Sequence, residues 1–178
     1  MVSRRGLFGI IAPILAPGCT ADPASLDPSH SDQYTVDSDG DGVPDRNDDF
    51  PEDSRYTYLV NSTSEEIRLG PGEFKLYRFS VGAVSDLRYE VHTSSQSSFD
   101  VFVTDKPNFQ KFENGSKWSY YEAASKLNTT SAQVTFTVGT DRTYYLVIDS
   151  TAEGNATASS AGDKSVTVTT EVELRRRS

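Results

Sequence analysis

From Tyr56 onward, apolar and polar residues alternate with a period of two. Leu87, Tyr89 and Val91 alternate with Arg88, Glu90 and His92; Phe99, Val101 and Val103 alternate with Asp100, Phe102 and Thr104. Val134, Phe136 and Val138 alternate with Gln133, Thr135 and Thr137, and Val166, Val168 and Val172 share one face opposite Thr167, Thr169 and Glu171. β-Branched and aromatic residues at this spacing predict strands, because successive side chains of a strand point to opposite faces. Tyr144 to Ile148 is apolar on both faces, which predicts a central strand. Gly70-Pro71-Gly72-Glu73 predicts a turn before a Phe74–Val81 strand, and Asn108 to Phe112, closed by Gly115, predicts a single helical turn. About seven to eight strands over residues 56–174 predict an all-β fold, an antiparallel β-sandwich.

Upstream of Tyr56 that rhythm is missing. Leu7 to Ala16 holds only apolar residues and Gly9, directly after Arg4 and Arg5. Ten helical residues span about 15 Å, half a bilayer core, so this is the apolar centre of an export signal and not a spanning helix. Ser3-Arg4-Arg5 before it resembles a twin-arginine signal, and Leu15-Ala16-Pro17-Gly18-Cys19 resembles a lipobox, although Ala16 and Pro17 depart from its usual pattern. The resemblance implies removal of residues 1–18, diacylglycerol on Cys19, the only cysteine of the chain, and a protein held on the outer face of the cell membrane; without the lipid it would be secreted. Residues 19–36, rich in Asp, Ser and Pro, are expected to be a disordered tether, and His30 within them to be solvated.

Charge sharpens the division. The 178 residues carry a net charge of −9, and residues 20–55 alone hold eleven acids against Arg46 and Arg55. A balance this acidic excludes a nucleic-acid binder. Within residues 37–55, Asp37, Asp39, Asp41, Asp45 and Asp48 stand at positions 1, 3, 5, 9 and 12 of a twelve-residue loop, with Gly42 at position 6. That is the ligand spacing of an EF-hand loop. Calcium takes six to eight oxygens, alternating Asp side chains converge only if the chain wraps tightly, and Gly42 permits the wrap. Val43 at position 7 would add its carbonyl; Asp48 stands where Glu is usual, with Asp49 as a substitute. The ion is expected to be structural Ca2+ that stiffens the junction between tether and domain, because a carboxylate-saturated loop leaves little room for an activated water. The run Asp37 to Pro51 also resembles one thrombospondin type 3 repeat, without that family's cysteines.

Within the strand-rich part, residues 99–105 (FDVFVTD) and 144–151 (YYLVIDST) resemble GOLD-like (emp24-type) and pre-peptidase C-terminal-type β-sandwiches. That resemblance implies an interaction module or accessory domain without catalytic residues. The residues agree: no GxSxG, HExxH or P-loop is present, and His92 sits on the polar face of a strand. The chain therefore reads as a non-enzymatic surface lipoprotein presenting a sandwich to an unknown surface protein or glycan. The alternatives are a carbohydrate- or cell-wall-binding module that stacks sugars on Trp118, Tyr120 and Tyr121, and an accessory domain of a secreted hydrolase. Asn61, Asn114, Asn128 and Asn155 head Asn-x-Ser/Thr sequons and are candidate glycosylation sites. Arg175 to Arg177 are expected to form a basic tail (residues 175–178) that is solvated or touches an anionic surface weakly.

Overall fold

The computed structural model describes residues 6–8, 36–94, 97–151 and 165–178. The strands are β1 (Gly6–Phe8), β2 (Tyr56–Leu69), β3 (Phe74–Val81), β4 (Ser85–Thr93), β5 (Phe99–Asp105), β6 (Lys126–Thr129), β7 (Ser131–Val138), β8 (Arg142–Asp149) and β9 (Val166–Arg177). One helix, α1 (Lys106–Glu113), follows β5. One sheet has the order β1-β3-β8-β5-β6 and the other β2-β9-β4-β7. Eight of these strands pair only antiparallel with one another, and the three-residue β1 adds to the edge of β3 in parallel. The chain is an all-β sandwich, as the alternation predicts.

Period-two patterning sets the core. Leu87, Tyr89 and Val91 of β4 meet Val168, Val172 and Leu174 of β9, and face Phe99, Val101, Leu146 and Ile148 of the other sheet; all are buried. Each such side chain stabilises the fold by roughly 1.5–3 kcal/mol relative to an exposed one. β8 lies between β3 and β5, which explains why it is apolar on both faces.

The outer face of its sheet is also covered. Phe74, Leu76, Phe102, Tyr145 and Val147 pack under Phe109 and Phe112 of α1. The helix is eight residues long, longer than the single turn expected at Asn108 to Phe112. Asp105 caps it, its Oδ1 accepting the Asn108 N–H at 2.9 Å, and Pro107 fits the first turn. Gly115, at φ +67°, turns the chain away after it. β5 is consequently buried on both sides, Asp100 and Thr104 included, where simple alternation put a polar face.

Two segments differ from their expected form. β2 runs for fourteen residues along the edge of its sheet, with irregular register near Tyr58 and Leu59. Arg175, Arg176 and Arg177, expected past the domain, are the last residues of β9 and pair with Leu59, Tyr58 and Tyr56. One buried polar knot joins the sheets: Lys75 Nζ lies 2.8 Å from Glu65 Oε1, which also accepts the Tyr77 hydroxyl at 2.9 Å, with Thr170 Oγ1 another 2.9 Å from that hydroxyl. Among the described residues no helix is long and apolar enough to cross a membrane.

Candidate metal centre

The acidic loop folds through its own carboxylates. Asp37 Oδ1 accepts the Gly40 N–H at 2.8 Å and Oδ2 the Gly42 N–H at 3.0 Å. Asp39 Oδ1 accepts from Asp41 N at 3.2 Å, and Asp41 Oδ1 from Val43 N at 2.8 Å. Each is a local side-chain-to-backbone turn of the kind Asp favours. Gly40 and Gly42 make the wrap, at φ +77° and +94°. A Cβ at either would meet nothing within 4 Å, so glycine is required there for backbone conformation and not for space.

The loop is clasped at its base. Asp45 N–H donates to the Val36 carbonyl at 2.8 Å. The two oxygens of Asp45 accept the Ser38 N–H and the Ser38 hydroxyl, each at 2.7 Å. These bonds hold the Asp45 carboxyl below its usual range, the Ser38 hydroxyl contributing most. Asp45, expected as the ninth-position ligand, accepts bonds on both oxygens, as Asp37 does from Gly40 and Gly42.

The remaining acids converge. Asp37, Asp39 and Asp41 each offer an oxygen within 4.8 Å of the others. Oxygens that share one Ca2+ near 2.4 Å lie no more than about 4.8 Å apart, so the three fit a common ion. Asp48 is not one of this trio, but its charge acts on Asp39. It is 8% exposed, its Oδ1 accepts the Phe50 N–H at 2.7 Å, and its Oδ2 is buried without a partner. Asp39 Oδ2 and Asp41 Oδ2 are buried without a partner as well. Burial first, then the charges of Asp41, Asp48 and Asp37, push the Asp39 carboxyl above its usual value. A polar atom shielded from water without a hydrogen bond is destabilising, more so when charged. The three oxygens belong to loop positions 3, 5 and 12. Val43 is half-buried with its N–H taken by Asp41.

The loop does not hang free. Asp49, weighed as a substitute ligand, instead accepts the Leu59 N–H on Oδ2 at 2.8 Å and donates its own N–H to the Thr57 carbonyl at 3.1 Å. Phe50 packs on Tyr56 at 5.6 Å between ring centres, and the Arg175 guanidinium lies over both rings at 5.0 and 5.5 Å. Spacing alone gave no sign of the Ser38, Asp49 and Phe50 contacts, which depend on where β2 and β9 run.

Of the aromatic candidates, the structure brings two together. Half-buried Trp118 stacks on Phe102 at 4.4 Å and lies 5.5 Å from Tyr120 at an interplanar angle of 51°. Tyr121 turns to the inter-sheet core, against Phe136 and Tyr144. Among the sequons, Asn61 is half-buried on β2, Asn114 is exposed at the end of α1, and Asn128 is exposed at φ +50°. Asn155, Cys19, residues 19–35 with His30, and most of residues 1–18 lie outside the described residues. His92 is exposed on β4 opposite Ser131 and Thr169.

No family model and no curated protein matches the chain. Among solved structures it is similar to the pre-peptidase C-terminal domain of a collagenase from Bacillus anthracis, at 15% identity and a TM-score of 0.38, over 62% of this chain and 88% of that one. It is also similar to a periplasmic inhibitor of g-type lysozyme from Aeromonas hydrophila, at 15% identity and a TM-score of 0.40, over 64% of this chain and 85% of that one.

Proposed function

We propose that the chain is an exported surface protein, lipid-anchored at Cys19, in which one structural Ca2+ held by residues 37–48 stiffens the junction to a β-sandwich interaction module. The observation that carries this reading is the trio of buried, unpartnered oxygens on Asp39, Asp41 and Asp48. A cation supplies what those oxygens lack. Asp37, Asp39, Asp41, Asp45 and Asp48 are the side-chain ligands in this reading, and the Val43 carbonyl is a further oxygen. The ion is structural: bound there, it would neutralise the carboxylates and lock the wrap, and the chain performs no catalysis. Asp49 and Phe50, directly after the last ligand, transmit that order to β2 and β9.

Titration calorimetry at millimolar Ca2+ tests the ion. Saturable heat that disappears in the Asp39→Ala/Asp41→Ala variant is the expected result, and heat unchanged by those substitutions refutes it. Mass spectrometry of the Cys19 peptide from membranes tests the anchor: the expected result is an added diacylglycerol, and an unmodified thiol refutes it. The sandwich then serves as an accessory module, its partner a protein or glycan at the cell surface.

A further inference from the structure

We propose that the end of the sandwich where β2 begins and β9 finishes rests on a phospholipid bilayer and dips apolar side chains into it. Among the described residues the exposed large hydrophobics are Val36, Tyr58, Leu59, Val60 and Val84. Four of these five gather at this one end. Tyr58 and Leu59 are the register partners of Arg176 and Arg175, and the Val84 carbonyl accepts the Arg177 N–H at 3.1 Å. Val60 and Arg176, with Val81 and Leu174, line a cavity of about 270 Å³ that opens between the sheets there. Val60 is 51% exposed and Val84 46%, the highest values of the four.

The chemistry matches a lipid surface. Arg176 lies over the Tyr58 ring at 5.6 Å and pairs with no carboxylate among the described residues. A tyrosine and an arginine flanking aliphatic side chains suit the headgroup boundary, with the guanidinium on phosphate and the aliphatic groups below it. A second copy of the chain is a poorer occupant. Four partly exposed side chains offer a few hundred Å², the size of the largest patch on an ordinary monomer, whereas a stable interface takes roughly 800 Å² per partner. A bilayer accepts a patch of this size, and the export reading above, on which the inference rests, brings the protein to one. Val36 comes seventeen positions after Cys19, which limits the reach from lipid to loop to about 60 Å. The loop in turn is tied at Asp49 to Thr57 and Leu59, so the tether enters the domain at this same end.

One feature opposes contact. The acidic loop flanks the patch and repels anionic headgroups unless a cation fills it. Calcium is therefore expected to strengthen the contact.

The test is partitioning onto vesicles of phosphatidylcholine and phosphatidylglycerol in equal parts, by sedimentation, with millimolar Ca2+. The protein is the full chain carrying Cys19→Ser, so failure of lipidation cannot alter the outcome. Val60→Asp/Val84→Asp is expected to bind about tenfold or more weakly than its parent, and Arg176→Glu to weaken binding as well. All three sites are exposed, and unchanged far-ultraviolet dichroism and melting will show that the variants fold. Equal binding of parent and variants overturns the proposal, because any contribution of residues 7–16 is common to both. A parent that ignores vesicles overturns it too. So does a parent dimer that Val60→Asp converts to monomer, which would give the patch to a second copy. Binding abolished by salt but indifferent to Val60→Asp reduces the contact to charge alone and refutes the insertion.

Discussion

Asp49 Oδ2 accepts the Leu59 N–H across ten residues at 2.8 Å, and so fastens the acidic loop to the irregular start of β2. The bond lies one residue past the last candidate ligand. Asp49→Ala removes it while leaving every candidate ligand in place. Calcium affinity should fall a few-fold, consistent with about 0.5–1.5 kcal/mol for one hydrogen bond, and the Leu59 amide should exchange faster. Unchanged affinity and unchanged exchange would mean that the loop and sandwich are uncoupled.

The ion should appear in stability as well as in heat. Calcium at a hundred times its dissociation constant should add about 2.7 kcal/mol to the unfolding free energy of whatever unit the loop belongs to. A calcium-dependent rise in melting temperature, reversed by chelator, checks this. Gly42→Ala should reduce the rise, since φ +94° is disfavoured for any residue with a Cβ, at a cost of about 1–2 kcal/mol. Because space is free at that position, the loss should come without damage to the sandwich.

Buried tyrosines govern the alkaline limit. Burial pushes the Tyr89 phenol well above its usual value, and its hydroxyl donates to the Ala124 carbonyl at 2.9 Å. Burial does the same for Tyr77, with Glu65 adding to it against the hydrogen bond of Thr170. The folded state thus holds protons that the unfolded state releases near pH 10. Their contribution is complete below about pH 10 and is lost as pH rises toward the folded values. Urea melts from pH 8 to 11 should show falling stability. Tyr89→Phe should flatten that slope, while costing about 1–3 kcal/mol at neutral pH for the unpaired carbonyl. A slope equal to that of the parent would remove Tyr89 from the account.

Trp118 is expected to matter for packing. It lies against Phe102, Phe112 and Tyr120 over the outer face of its sheet. Trp118→Ala should cost about 2–4 kcal/mol in denaturant unfolding, somewhat less than full burial would give. An intact, equally stable fold that has lost binding to a glycan array would favour sugar recognition instead.

The strands legible from sequence are those with one wet face. β4, β7 and β9 show their alternation because solvent covers the outside of their sheet. β8 betrayed its central place by being apolar throughout. β2 was not legible: an edge strand reading YTYLVNSTSEEIRL buries few side chains, so its pattern has no clear period. The second hydrophobic layer was half legible. Phe102 stood on the supposedly polar face of β5 and Val147 on the second apolar face of β8, but only the position of α1 explains what covers them. In the acidic loop, spacing brought out Asp37, Asp39 and Asp41, whose oxygens the structure gathers within 4.8 Å of one another. It gave no sign of the two bonds from Ser38 to Asp45.

β2 and β9 are antiparallel neighbours, and Ser178 bonds back to the carbonyls of Ser54 and Arg55, so the start of β2 and the end of β9 meet at one point. A load applied between those two ends would act across the strand ladder and not along it. The rungs would open one after another from Tyr56 and Arg177, as a zip does, at low force. A pull on the chain ahead of Val36 would concentrate instead on the loop's clasp, Ser38 to Asp45, making that short segment a mechanical fuse.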